Sequence, residues 1–210
     1  MMKVILFALC FVFFMFSQFA HSALMILQPD RSNYQVGDNI QLQLKLTGLD
    51  VTDAGSSVAA FWTKLLYQPA ALQFQSWQFG TGLKDAAGSL QYAEHDALLG
   101  ELTLDEYAFP AADPAALAAS QQLAMQQGGL LLATLTFQAL QAGDWQLAFD
   151  PKWFGVENAA GDRINSAVAD LKLTITAAQV PLPATWLLLL LGVVALLSQR
   201  RRTADVSVCA

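Results

Sequence analysis

Apolar and polar residues alternate through much of this chain. Ile40, Leu42, Leu44 and Leu46 are separated by Gln41, Gln43 and Lys45, a period of two that predicts a strand with one buried face. Further strands are expected over Val58 to Tyr67, Leu72 to Phe79, Leu130 to Leu140, Trp145 to Phe149 and Leu171 to Ile175. Turn chemistry separates them at Val36-Gly37-Asp38, Thr47-Gly48-Leu49-Asp50, Gln68-Pro69, Gly80-Thr81-Gly82 and Ala142-Gly143-Asp144. Many short strands at this spacing predict an all-β, antiparallel sandwich. One segment breaks the period. Asp113 as N-cap, Pro114 at the first helical position, an Ala/Leu/Gln run and Gly128 as terminator predict one short helix before Leu130.

The two ends follow a different pattern. Met1-Met2-Lys3, the apolar run Val4 to Phe16 and the small-x-small site Ala20-His21-Ser22 predict a secretory signal peptide over 1–22, with the mature chain starting at Ala23. Val180 to Leu197 carries no charge, which is roughly the length a helix needs to cross hydrocarbon. Pro181 and Pro183 cannot continue a helix from upstream, so the spanning helix is expected to begin near Ala184. Ending at Ser198, it would be roughly 22 Å long, short of the roughly 30 Å hydrocarbon core. Snorkelling arginines or a thinned bilayer would cover that gap. Arg200, Arg201 and Arg202 form a basic stop that places the preceding domain outside the cytoplasm. The expected organisation is therefore a signal peptide at 1–22, a β-sandwich at 23–178, a sorting and transmembrane segment at 179–202 and a cytoplasmic tail at 203–210.

The middle segment is one domain's worth of chain. Cys10 and Cys209 both lie outside it, so no disulfide can brace it. The chain carries a formal charge of −6, and about −9 over 23–178 once Lys3, the three terminal arginines and Asp205 are set aside. Such a surface repels phosphate and anionic lipid, which argues against nucleic acid as a partner.

No segment presents a catalytic motif. The sequence lacks Gly-x-Ser-x-Gly, HExxH and a phosphate loop, and His95 is the single histidine of 23–178. Glu94-His95-Asp96 reads as a solvated turn, because consecutive strand residues point to opposite faces and cannot converge. Asp105-Glu106 offers a carboxylate pair, and Asp150 with Glu157, Asn158 and Asp162 offers oxygen ligands for calcium, but in a spacing that matches no EF-hand. No catalytic residue, metal site or cofactor is assigned. Trp62, Trp77, Trp145 and Trp153 are expected in the core, as large aromatics supply much of such an interior. Trp153, in an expected loop after Pro151, and Trp77 are the candidate ligand-binding residues. Their exposure on one shared face would favour sugar stacking, with Gln41, Gln43, Gln73, Gln75 and Gln78 adding polar capacity.

The tail Val180-Pro181-Leu182-Pro183-Ala184, with its apolar helix and Arg200 to Arg202, resembles the PEP-CTERM sorting signal of Gram-negative bacteria. Leu182 stands where the name-giving glutamate would be, and Thr203 to Ala210 extends past the usual end. The resemblance implies recognition by an exosortase, export through the inner membrane, a membrane-anchored precursor, and a final place at the cell surface or in the extracellular matrix. Leu182-Pro183-Ala184-Thr185 also matches four places of the sortase motif Leu-Pro-x-Thr-Gly, but Trp186 fills the fifth. An uncleaved single-pass anchor is the plain alternative.

The order of motifs in the middle segment resembles the cohesin domain. The matching stretches are Tyr34 to Asp38, Ala59 to Trp62, Tyr67 to Leu72, Trp77 to Gly80, Leu132 to Phe137 and Leu171 to Thr176. The resemblance implies a jelly-roll sandwich of about nine strands. Cohesins dock calcium-loaded dockerins, but the resemblance assigns that property to no particular residue here. Together these readings describe a non-catalytic, exported surface or biofilm-matrix protein whose β-sandwich serves protein or matrix interaction, with another surface protein or exopolysaccharide as partner. The alternative is a carbohydrate-binding module acting on exopolysaccharide.

Overall fold

The computed structural model describes residues 23–84, 88–108 and 113–178, with Leu189, Leu191, Val193 and Val194 as exposed helical positions. The expected signal peptide, the sorting motif Val180 to Ala184 and the arginine cluster lie outside the described residues. Among the described residues no helix is long and apolar enough to cross a membrane. The chain divides into two units at Ala177/Ala178, and the sandwich belongs to the first.

Its elements are β1 (Ala23–Pro29), β2 (Tyr34–Gln35), β3 (Asn39–Thr47), β4 (Val58–Leu66), β5 (Leu72–Phe79), β6 (Ser89–Asp96), β7 (Glu101–Ala108), α1 (Pro114–Gln126), β8 (Leu130–Ala139), β9 (Gly143–Asn158), β10 (Ser166–Ala169) and β11 (Leu171–Thr176). They form a five-stranded sheet in the order β10-β1-β3-β8-β5 and a six-stranded sheet in the order β2-β11-β9-β4-β7-β6. The all-β sandwich with one short helix is as expected, but among the described residues it has eleven strands where about nine were expected. Two edge pairings, β1 with β10 and β2 with β11, are parallel, where an antiparallel sandwich was expected. β2 pairs with β11 and β10 pairs with β1, so in each case most of the domain's chain lies between the two paired strands. A parallel pair requires that kind of crossover.

The core is built by the period-two pattern. Ile40, Leu42, Leu44 and Leu46 of β3 are all fully buried, and so are Leu132, Leu135 and Phe137 of β8, the neighbouring strand. From the other sheet, Phe61 and Leu65 of β4, Leu102 and Leu104 of β7 and Leu147 of β9 complete the interior. The tryptophans are not its substance, contrary to expectation. Trp62 sits on the outward phase of β4, where it covers Gly155 of β9. Trp145 packs only partly against the core, and Trp77 and Trp153 are 44% and 47% exposed. Leucines already fill the inward positions, so the larger rings are left to edges and outer faces.

The helix forms as its caps dictate. The Asp113 carboxylate accepts from the backbone N–H of Ala115 and Ala116 at 3.0 and 3.3 Å, and Pro114 occupies the first turn, where no donor is needed. Gly128 and Gly129 terminate it with φ of +101° and +118°, and the Gly129 N–H returns to the Ala124 carbonyl at 3.0 Å. Among the buried residues of α1 is Gln121, fully buried, which ties the helix to the sandwich. Its Oε1 accepts from Val58 N at 2.7 Å, and its Nε2 donates to the carbonyls of Val58 at 2.8 Å and Gly82 at 3.0 Å.

Removing that amide leaves buried backbone groups at Val58 without partners, at a cost of about 1–3 kcal/mol for an unsatisfied group. Gln121→Ala should therefore lower the melting temperature by at least about 4 °C, at roughly 2–4 °C per kcal/mol for a domain of this size. Thermal unfolding followed by circular dichroism checks this, and a drop under about 2 °C would show that the clamp carries no stability.

Candidate functional site

Two surfaces concentrate the chemistry outside the core. The first is the outer face of the six-stranded sheet over β6, β7 and β4. Because side chains alternate, the inward phase of β7 is Leu102, Leu104 and Glu106, and its outward phase is Glu101, Thr103, Asp105 and Tyr107. Register places Leu90 beside Tyr107, Tyr92 beside Asp105 and, on the other side of β7, Trp62 beside Asp105. Tyr92 donates from its hydroxyl to Glu94 at 2.8 Å, and Lys64 pairs with Glu101 at 3.1 Å. The Arg163 guanidinium lies 5.4 Å from the Trp62 ring centre. Leu90, Tyr92 and Tyr107 are exposed. At the tip of the β6–β7 hairpin, Asp96 accepts from the N–H of Leu98 and Leu99 at 2.9 and 3.1 Å, which holds both leucines out in solvent, Leu98 at 92% exposure. In the middle of this face the buried Asp105 Oδ1 has no hydrogen-bond partner, and burial raises the Asp105 pKa. Apolar rings and leucines among carboxylates make an acidic, amphipathic face.

The second surface is the open flank of the sandwich, between the edge strands β5 and β6. A register shift between Phe74 and Ser76 changes the phase of β5, so that Phe74, Trp77 and Phe79 align with the inward residues Phe137, Leu135 and Ala133 of β8. Phe74 and His95 of β6 meet at 4.5 Å between ring centres, and Tyr67 Oη is hydrogen-bonded to His95 Nε2 at 2.6 Å. These contacts close one end of the flank. Toward the other end it widens into a slot of about 390 Å³ lined by Trp77, Gln78, Phe79, Gly80, Thr81, Lys84 and Gln91. Behind Gln91 lies Glu106, fully buried. Its Oε1 accepts from Ser89 Oγ at 2.6 Å and Gln91 Nε2 at 2.8 Å, while its Oε2 is buried without a partner.

Glu94-His95-Asp96 is the end of strand β6 and not a turn. The sequence disguised it, because the inward residues of this edge strand, Ser89, Gln91, Ala93 and His95, include no large apolar side chain. Glu94 and Asp96 point outward while His95 points in, as alternation requires. Asp105 and Glu106 do not act as a pair, since neighbours on β7 face opposite sides. Trp153 lies on β9 and not in a loop. Four residues, Asp150 to Trp153, bulge opposite Lys64, around a proline that cannot donate to the ladder. Trp77 and Trp153 belong to different sheets and share no face. Asp150 accepts from Lys152 N and Asn158 from Ala160 and Asp162 N, so these oxygens are engaged in local turns. Among the described residues no three His, Cys, Asp or Glu side chains gather for a metal. The flank slot was not legible as a site, because the register shift that turns Trp77 toward it has no sequence signal.

Burial is the main cause that raises the Glu106 pKa, opposed by the donors Ser89 and Gln91 and by Lys84. A carboxyl whose folded pKa is raised favours the native state below its unfolded pKa of roughly 4.3, and that contribution is lost as pH rises through the folded value. Glu106→Gln, which cannot ionise, should therefore raise the melting temperature more at pH 8 than at pH 4. Equal shifts at both values, in paired thermal melts, would contradict this.

No protein-family model matches the sequence, and no curated protein matches it. Solved structures do match in fold. A chain of a type I cohesin–dockerin complex from Clostridium thermocellum has a TM-score of 0.54 at 13% identity, over 75% of this chain and 96% of that one. A type II cohesin domain from the cellulosome of Acetivibrio cellulolyticus has a TM-score of 0.53 at 16% identity, over 73% and 95%. The seventh ScaB type I cohesin from Pseudobacteroides cellulosolvens has a TM-score of 0.53 at 15% identity, over 77% and 96%. The sandwich therefore has the fold of cohesin domains.

Proposed function

We propose that this chain is a non-catalytic, exported surface or matrix protein whose sandwich binds another protein through the outer face of the six-stranded sheet. The observation that carries the reading is the display of Leu90, Tyr92, Tyr107, Leu98 and Leu99 on and beside that face. Several large exposed side chains gathered on one sheet suit a partner surface, where aromatic anchors contribute most of the affinity. Some structures of the same fold are of cohesin–dockerin complexes, which supports a protein as partner. Asp105, Glu101, Glu94 and Asp96 favour a partner surface that offers basic side chains or hydroxyl donors. A buried carboxylate oxygen with no partner at Asp105 would gain from such a donor.

The PEP-CTERM-like tail supports the place of action. In this reading the signal peptide takes the chain through the inner membrane, the C-terminal helix holds it, and an exosortase removes the tail near Val180 to Ala184. The protein then acts at the cell surface or in the extracellular matrix.

In a host with an exosortase, the extracellular protein should lack every residue after about Thr185. Intact-mass measurement checks this, and a secreted form that retains Arg200 to Ala210 would count against the processing step. For the partner face, a photo-crosslinker placed at Tyr92 or Tyr107 on intact cells should give a discrete protein adduct, while the same group at Gln41 or Gln43, on the other sheet, should give none. The reverse pattern would overturn the assignment of the face.

A further inference from the structure

The flank slot is separate from the partner face, and its construction is that of a small-molecule site. Its volume of about 390 Å³ falls in the roughly 300–1,000 Å³ range of ligand clefts. Trp77 is 44% exposed and is backed by Phe74, stacked at 5.9 Å and 15° between ring planes. Phe74 in turn packs edge-on against the fully buried Phe137 at 5.3 Å. The indole is thus a rigid apolar platform anchored in the core.

The polar side of the slot is fixed as firmly. Gln91 Nε2 donates to Glu106 Oε1 at 2.8 Å and to Ser89 Oγ at 3.3 Å. Both amide hydrogens are committed inward, which leaves Gln91 Oε1 as an oriented acceptor for a ligand. Glu106 holds this arrangement at a cost, because a buried carboxyl with one unpartnered oxygen and no ion pair is a poor stabilising device. Gln78, Thr81 and Lys84 add amide, hydroxyl and ammonium donors around the rim. Lys84 has no ion pair among the described residues.

We infer that this slot binds a sugar ring of a neutral glycan, stacked by its apolar face on Trp77 and hydrogen-bonded through its hydroxyls to Gln91, Gln78 and Lys84. A flat aromatic surface bordered by both donors and acceptors matches a pyranose, which presents C–H groups on one face and hydroxyls that both donate and accept at its edge. A strongly anionic ligand fits less well. The chain carries a charge of −6, and among the described residues Lys84 is the one cation lining the slot.

The test uses the full chain in a sugar-free detergent, with cellotriose, maltotriose and trigalacturonate as probes. Titration followed by the indole N–H resonance of Trp77 should show saturable shifts with at least one of the neutral trisaccharides, at a dissociation constant of about 0.1–1 mM. By calorimetry, Trp77→Ala and Gln91→Ala should each weaken that binding by about tenfold, a loss that one stacking or buried hydrogen-bond contact can account for. Trp153→Ala should leave it unchanged. Unshifted indole resonances elsewhere in the spectrum report that each variant is folded, and Gln91→Ala serves alone if Trp77→Ala is not. Absence of any saturable shift up to about 10 mM sugar would overturn the proposal, as would binding indifferent to both variants. Binding of trigalacturonate without the neutral sugars would overturn the assignment of ligand class.

Discussion

The interior depends on the phase of strand β3, whose four inward residues Ile40, Leu42, Leu44 and Leu46 are all excluded from solvent. A slip of one residue would exchange them for Gln41, Gln43 and Lys45 and empty the middle of the five-stranded sheet. Since no cysteine occurs within 23–178, nothing covalent corrects such an error. Each of these side chains contributes roughly 1.5–3 kcal/mol on burial. The register they impose is passed to β1 and β8, the two neighbours of β3, and so to every other strand of that sheet.

Where the phase does change, the change brings a large side chain toward the surface. The shift after Phe74 brings Trp77 to the inward side of β5 at an edge, so a large ring lies half in solvent on a partly buried support, Phe74. Between Phe149 and Phe154 of β9 the inward set passes from odd to even positions, and the intervening Asp150 to Trp153 is pushed outward. Both departures lie beside otherwise regular ladders, where one extra residue or a short bulge is absorbed without disturbing the core.

This explains what the sequence could and could not disclose. The alternation of β3 and the closing strand, the capped helix from Pro114 and the turn at Gly37 are local signals, and each appears where it was expected, while Gly143 and Asp144, expected in a turn, open strand β9. Strand β7 was missed because its third inward residue is Glu106, which breaks the apolar series Leu102, Leu104. Strand β6 was missed because an edge can carry polar residues on its inward side, and the aromatic contacts of His95 come from β5 and from Tyr67, far away in the chain. The tryptophans were misplaced for a related reason. Size favours burial in general, but the leucines had already claimed the interior, and only the pairing of Trp62 with Gly155 or the shift at Ser76 decides where a ring goes.

Glu106 is the point at which stability and a second role separate. Its position on β7 faces inward beside Phe61 of β4, and a leucine there would extend the row Leu102, Leu104 and remove a buried, half-satisfied carboxyl. Folding alone therefore gives no reason for a glutamate. What the carboxylate does accomplish is local: it receives Ser89 and Gln91 and so fixes the inner wall of the edge strand that borders the slot. An edge strand lacks a neighbour on one side to hold its side chains. Here a buried carboxyl behind it performs that task, and the flank keeps a defined polar surface where an apolar residue would have left Gln91 free to turn.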